Sequence, residues 1–213
     1  MKALVYKDIM LEMHELRRLA LYYLLCMVGM PVLFALTSDD ISHSYAMPLM
    51  MCPVISMVMI NTTYGCDERS EWMRYAMTNP VTRIQYFHAK FLTHVMNVLC
   101  GSLLGFAIST VIAIVLGQLS AEVFTNNLSS ALGMLCVLLL VGLVTTPLML
   151  KFGVQKGSMV MMMTVTGVVL LGTGINILGE SSPIANISIL VLGIGVGVTM
   201  YLLGRKWMLE KEF

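Results

Sequence analysis

The segment 67-DERSEWMRYAMTNPVTRIQYFHAK-90 decides how the rest of the chain is interpreted. It carries three carboxylates and four basic side chains, in a chain of 213 residues that is 58% hydrophobic and only 12% charged. The mean hydropathy of the whole chain is +0.84. Soluble domains usually carry about 25% charged residues. One charged, helix-prone insert in so apolar a chain predicts an integral membrane protein with a polar element outside the bilayer.

Composition excludes several classes of function. The net charge is +1, so the sequence predicts no nucleic-acid partner. The five cysteines are odd in number and follow no zinc-site spacing, which favours neither a disulfide framework nor a metal site. The 21 methionines are interpreted mainly as apolar residues in lipid, with an adaptable binding surface as the alternative.

Six stretches free of Asp, Glu, Lys and Arg are long enough to cross a bilayer, which takes roughly 20 apolar residues. They lie at 19–36, 45–63, 91–115, 128–150, 158–178 and 184–203. The predicted fold is therefore an all-α integral membrane domain of six transmembrane helices that occupies residues 1–213. Residues 1–18 repeat apolar side chains at helical spacing, which predicts an interfacial amphipathic elbow helix. The alternative is a simple extension of the first span.

Charge sets the predicted orientation. All 13 Lys and Arg residues lie in the N-terminal segment, in 64–90, in 151–157 or in the C-terminal segment. The loops of the other side carry Asp39, Asp40, Glu122 and Glu180 and no basic residue. Because basic residues concentrate on the cytoplasmic side, both termini and the charged insert are predicted to be cytoplasmic.

The predicted spans carry no catalytic or energy-supplying motif. They lack carboxylates and amines, and His94 is interpreted as a structural histidine near the start of a span. The segment 151-KFGVQKG-157 has Lys and Gly but not the phosphate-binding P-loop pattern. We therefore expect no enzyme. A membrane-embedded lipid transferase, an alternative, would need clustered Asp or His beyond Asp67 and Glu68.

The insert itself is predicted to be a helix, a turn and a second helix. Asp67, Glu68 and Ser70 suit a helix N-terminus, where carboxylates meet the positive end of the helix dipole. An apolar stripe follows, formed by Trp72, Tyr75 and Ala76. Asn79 and Pro80 end the first helix, since the residue before proline leaves the α region. The second helix runs from Val81 into the third span. Charges of both signs around an aromatic residue favour a docking surface over a solvated loop.

The order D-E-x-x-x-W, then P-V-x-R, then a Lys that enters the next span resembles the cytoplasmic loop of ABC-2 type transporter permeases. The matching residues here are Asp67, Glu68, Trp72, Pro80, Val81, Arg83 and Lys90. Many members of that family have Gly before the Trp, where this chain has Glu71. The resemblance extends over the whole chain, through the elbow helix, the six spans and the two cytoplasmic ends.

The resemblance implies that this chain is the membrane half of an exporter and holds no cofactor. A separate ATPase subunit would bind ATP and Mg²⁺, and the insert would be the coupling helix that docks on it and moves spans two and three. Two ATPases would act with two permeases, the second a copy or a paralogue. The residues implied at the ATPase interface are Asp67, Glu68, Glu71, Trp72, Arg74, Tyr75, Asn79, Pro80 and Arg83.

Among such permeases, compact six-span chains look most like exporters of phenol-soluble modulins, the amphipathic cytolytic peptides of Gram-positive bacteria. That resemblance implies an amphipathic peptide cargo and a bacterial cell membrane. Bacteriocin export permeases are similar in pattern. Two alternatives stay open at this point. One is an ABC-2 permease with another cargo, such as a drug, a lipid or an ion. The other is a membrane scaffold that transports nothing.

Overall fold

The computed structural model describes residues 2–25, 29, 33, 42–78, 81–160, 162–163 and 183–210. This part of the chain is helical and contains no strand. Its helices with defined bounds are α1 (Lys2–Leu24), α2 (Ser42–Arg69), α3 (Trp72–Thr78), α4 (Arg83–Val115), α5 (Ala121–Phe152) and α6 (Pro183–Glu210). A short helical segment at 154–160 follows α5. The all-helical class predicted from the sequence is confirmed for these residues.

Among the described residues, three helices are long and apolar enough to cross a membrane: Met47–Arg69, Arg83–Val115 and Ala121–Phe152. They correspond to the second, third and fourth predicted spans. Much of the first predicted span, 19–36, and most of the fifth, 158–178, lie outside the described residues. Helix α6 covers the sixth.

The helices extend further into the insert than the apolar pattern predicts. Helix α2 ends at Arg69, beyond the predicted span end at 63, and α4 begins at Arg83, close to Val81, where the sequence predicts that the second helix of the insert begins. The start of α4 is a capping box, since the Gln85 amide N–H donates to Thr82 Oγ1 and the Thr82 amide N–H donates to Gln85 Oε1. A hydropathy pattern does not indicate this start, because the first turns of α4 include polar residues and precede the apolar run.

One prediction about the insert is wrong. Asp67 and Glu68 occupy the last turn of α2, not the first turn of the docking helix. A carboxylate in the last turn meets the negative end of the helix dipole, which is unfavourable. The structure compensates both residues with specific partners, described below. Ser70 likewise belongs to the end of α2, because its hydroxyl donates to the Cys66 carbonyl oxygen at 2.6 Å.

The chain divides into two compact units. The first comprises 2–63 and 92–139. Within it, a Cβ at Gly105 would lie 2.7 Å from the Pro48 carbonyl oxygen, so the absence of a side chain lets α4 approach the α2 backbone. His94 donates from Nε2 to the Leu138 carbonyl oxygen at 3.3 Å, which fits the structural role expected of this histidine.

Helix α1 also belongs to the first unit. It runs without a break from Lys2 to Leu24, so the predicted elbow segment and the start of the first predicted span form one helix. Met10 and Met13 are exposed, whereas Asp8 and Glu12 are buried.

The second unit comprises 64–91 and 140–213, together with Met1. It thus gathers the charged insert and the C-terminal part of the chain. Helix α6 packs closely within it, because Gly204 faces Pro147 of α5 and the ring of Phe87 of α4 with no side chain between them. A Cβ at Gly197 would lie 2.9 Å from Leu143 of α5. Gly197 and Gly204 of α6 therefore permit close helix packing.

Candidate functional site

Helix α3 presents one face outward. Tyr75 is 59% exposed, and Glu71 and Thr78 are exposed beside it, at the spacing of one helix face. Trp72 is half-buried and Ala76 is buried on the opposite face. The ring centroids of Trp72 and Tyr75 lie 5.2 Å apart, so the tryptophan ring packs against the ring of the exposed tyrosine.

The turn that leads into α3 has a special backbone. Glu71 has a φ of 50°, in the left-handed region that favours glycine. Its carbonyl oxygen accepts a hydrogen bond from the Tyr75 amide at 3.3 Å, so Glu71 already forms the first turn of α3. The direction in which α3 leaves α2 therefore depends on this residue.

A buried ion pair joins the two sides of the insert. Lys90 Nζ of α4 lies 2.7 Å from Asp67 Oδ2 of α2, and the two side chains are 2% and 7% exposed. The Tyr86 hydroxyl donates to the same oxygen at 2.7 Å. Lys90 Nζ also lies 5.0 Å from the centre of the Tyr64 ring, within the range of a cation–π contact. Asp67 is thus an internal brace and is not available to a partner.

Glu68, the neighbour of Asp67, is exposed but engaged. Its Oε2 accepts a hydrogen bond from the Val154 amide at 2.8 Å, at the first residue of the helical segment 154–160. A carboxylate at that position caps an amide that the helix cannot satisfy. The preceding residue, Gly153, has a φ of 84°, and a Cβ there would lie 2.8 Å from Glu68 Oε1. Glycine therefore permits both the turn and the approach of the carboxylate.

The α4 side of the insert is bonded to α6. The Arg83 guanidinium donates from Nη1 to the Leu209 carbonyl oxygen at 3.2 Å. His88 Nδ1 and the Tyr201 hydroxyl lie 2.8 Å apart. The Tyr201 ring packs 5.2 Å from that of Phe87 and 5.4 Å from that of Phe91.

A cavity of about 280 Å³ lies between α5 and α6 in the second unit. Lys151 Nζ is 3.7 Å from the centre of the Trp207 ring, and both residues line this cavity. Pro147 and Leu150 form its apolar wall. The basic and aromatic pairing is typical of the membrane–water boundary, which agrees with the anchor role of such residues.

The structure brings part of the predicted site together. Tyr75 and Glu71 lie on the exposed face of α3, with Trp72 beneath them. Asp67 joins the two sides of the insert, whereas Glu68 and Arg83 hold the insert to the rest of the second unit. Asn79, Pro80 and the side chain of Arg74 lie outside the described residues. The sequence did not indicate the contacts of five further residues: Tyr64, Tyr86, His88, Val154 and Tyr201. The spacing of Asp67 and Lys90 at opposite ends of the insert was the one signal that could have indicated their pairing.

No group of three His, Cys, Asp or Glu residues that could hold a metal ion occurs among the described residues. The cysteines of this part of the chain, Cys52, Cys66, Cys100 and Cys136, are free thiols.

Long apolar helices on either side of the short helix α3 define a multi-pass membrane protein. The sequence matches the family model described as ABC-2 family transporter protein over residues 3–207. The chain therefore belongs to the ABC-2 transporter family and is a membrane transport component. No curated protein and no solved structure matches it. Members of this family normally work in the membrane with an ABC ATPase.

Proposed function

We propose that the chain is the permease subunit of an ATP-driven exporter and that α3 is the coupling helix on which a separate ATPase docks. The observation that carries the proposal is the exposed face of α3, where Tyr75 stands out at 59% exposure on a helix of seven residues. Exposed aromatic side chains with a packed base are frequent anchors of protein interfaces. In this proposal six spans cross the membrane, both termini are cytoplasmic, and two permeases act with two ATPases.

The roles of the insert residues follow from their positions. Tyr75 and Glu71 contact the ATPase, and Trp72 keeps the tyrosine ring in place. Asp67 does not contact the ATPase, because it is buried against Lys90. The ATPase supplies ATP and Mg²⁺ binding, which fits a chain with no phosphate-binding loop in its sequence. Closure of the ATPase dimer moves α3, and the permease pair changes from inward-facing to outward-facing.

The test is co-purification of the tagged chain with an ATPase from its native membrane, with mass spectrometry and ATP hydrolysis measured on the eluate. The Tyr75→Ala variant should bind the ATPase about 30-fold more weakly, which corresponds to the loss of an interface anchor worth about 2 kcal/mol. Tyr6→Ala is the matched control, because Tyr6 is also a tyrosine and is 62% exposed on α1. Equal ATPase binding by both variants, at normal membrane levels, would reject the docking role of α3.

For the cargo we propose amphipathic peptides of the phenol-soluble modulin or bacteriocin kind, on the strength of the resemblance of the insert and of the apolar spans. The same preparation tests this proposal. Inverted vesicles that contain the permease and its ATPase should take up a fluorescent amphipathic helical peptide when ATP is added, and Tyr75→Ala vesicles should not. Uptake of a dye, a lipid or sodium instead of the peptide would assign another cargo. A permease that copurifies with no ATPase would favour a membrane scaffold.

A further inference from the structure

We propose that movement of α3 is transmitted first to the C-terminal part of the chain. Glu68 transmits it to the helical segment 154–160, and the His88–Tyr201 pair transmits it to α6. These are positioning residues, since they act on the transport cycle through other elements. The inference rests on the proposed coupling function of α3 and specifies where its movement goes.

The contact on the α2 side is the cap formed by Glu68. Its carboxylate accepts the Val154 amide N–H at 2.8 Å and packs against the bare backbone of Gly153. Glu68 is the second-to-last residue of α2, and the turn that follows leads directly into α3. A displacement of that turn therefore acts on the start of the helical segment 154–160, just after the end of α5.

The contacts on the α4 side run along α6 in antiparallel register. Arg83 bonds to Leu209, Phe87 faces Gly204, and His88 bonds to Tyr201. Residue numbers rise along α4 as they fall along α6, so the first turns of α4 lie side by side with the last turns of α6. Phe87 is fully buried in this contact, with no exposed surface. Such a packed pair moves as one body more readily than it slides.

The division of the chain agrees with this route. Residues 64–91 form one compact unit with 140–213, whereas the remainder of α2 and α4 belongs to the other unit. In the sequence, α3 lies between Glu68 and Arg83. Both of these residues are hydrogen-bonded to the C-terminal part of the chain. The residues that flank α3 on both sides are thus hydrogen-bonded to the same part of the chain, 140–213. By contrast, the resemblance to ABC-2 permeases implies that the coupling helix moves spans two and three.

The experiment follows two positions in the complete permease–ATPase complex. In a background without the five native cysteines, Thr78→Cys reports on α3 and Leu202→Cys, at a site 56% exposed, reports on α6. Each is labelled with a maleimide dye, without nucleotide and with ATP plus vanadate. ATP should change the labelling rate at both positions by about fivefold or more, the size of an ordinary coupling between two sites.

Combining Glu68→Ala with Tyr201→Phe should reduce the ATP response at Leu202→Cys, which the Arg83–Leu209 and Phe87–Gly204 contacts then carry alone. The response at Thr78→Cys and the bound ATPase should be unchanged. Glu68→Gln should restore the response at α6 in part, since its amide oxygen still accepts the Val154 N–H. Tyr23→Phe is the matched control, because it removes a hydroxyl that donates to Met59 Sδ at 3.5 Å in the other unit. It should change neither response.

An ATP response at Leu202→Cys as large in the combined Glu68→Ala and Tyr201→Phe variant as in the parent would overturn the inference while the docking proposal stands. If no ATPase purifies with the permease and neither position responds to ATP, the docking proposal and this inference are both contradicted. Equal loss of the response in Tyr23→Phe would also overturn it, because the effect would then be one of general stability.

Discussion

At the scale of single residues, Glu71 shows how a local backbone rule sets the geometry of the docking helix. Its φ of 50° lies in a region where a non-glycine residue costs roughly 1–2 kcal/mol. The resemblance to ABC-2 permeases implies glycine at this position, and the structure gives the physical reason for that preference. This chain keeps the conformation with a glutamate and bears the strain.

Glu71→Gly should therefore unfold at a higher temperature than Glu71→Ala, by a difference in unfolding free energy of about 1 kcal/mol. Both substitutions remove the same carboxylate, so their difference reports on the backbone. Thermal unfolding of the purified chain in detergent measures it.

The control is the same pair of substitutions at Glu15, in the interior of α1. There the order should reverse, with alanine more stable than glycine by about 1 kcal/mol, because glycine weakens a helix interior. An alanine variant at position 71 as stable as the glycine variant would show that the turn carries no strain.

At the scale of elements, the ion pair between Asp67 and Lys90 fixes the end of α2 against the start of α4. Removal of one partner leaves a buried charge, which typically costs about 3–5 kcal/mol. Lys90→Met and Asp67→Asn should each lower the unfolding temperature strongly. The double variant should regain a large part of the loss, since no buried charge remains and the asparagine oxygen still accepts the Tyr86 hydroxyl.

Thermal unfolding of the two single variants and the double variant gives the coupling free energy of the pair. The Lys206–Glu210 pair is the matched control. Its side chains are 70% and 60% exposed, and it should contribute little. Additive losses at Asp67 and Lys90 would contradict a direct interaction between them.

The elements show what the sequence could and could not predict. Hydropathy placed α2, α4 and α5 in the membrane, because long apolar runs have few alternatives in lipid. It did not predict that α2 continues to Arg69, since that extension depends on tertiary partners of Asp67 and Glu68. The capping box at Thr82 was readable from the sequence but was not used. The predicted apolar stripe of Trp72, Tyr75 and Ala76 does not share one face, since Tyr75 is exposed and Ala76 is buried. The His88–Tyr201 contact joins residues 113 positions apart and left no local signal.

At the scale of the whole molecule, the distribution of basic residues predicts one orientation. All 13 Lys and Arg lie in segments that the six-span topology predicts on the same side as the insert, so that side should be cytoplasmic. In a cysteine-free background, Leu119→Cys should react with a membrane-impermeant thiol reagent in intact cells. Ser70→Cys should react only after the membrane is opened. Both positions are exposed, which makes the labelling rates comparable.

The cysteine-free chain without either substitution gives the background for this assay. Labelling of Ser70→Cys in intact cells would invert the orientation and would place α3 out of reach of any cytoplasmic ATPase.

The length of α4 has a further consequence. Its 33 residues extend for about 50 Å, whereas the hydrocarbon core of a bilayer is about 30 Å thick. Even with tilt, several turns therefore stand clear of the lipid tails, and Arg83, His88 and Lys90 lie in the first of them. In the proposed function, α3 is joined to the part of α4 that lies outside the lipid tails. The ATPase would then contact α3 outside the lipid tails, and the remainder of α4 would carry the movement into the bilayer.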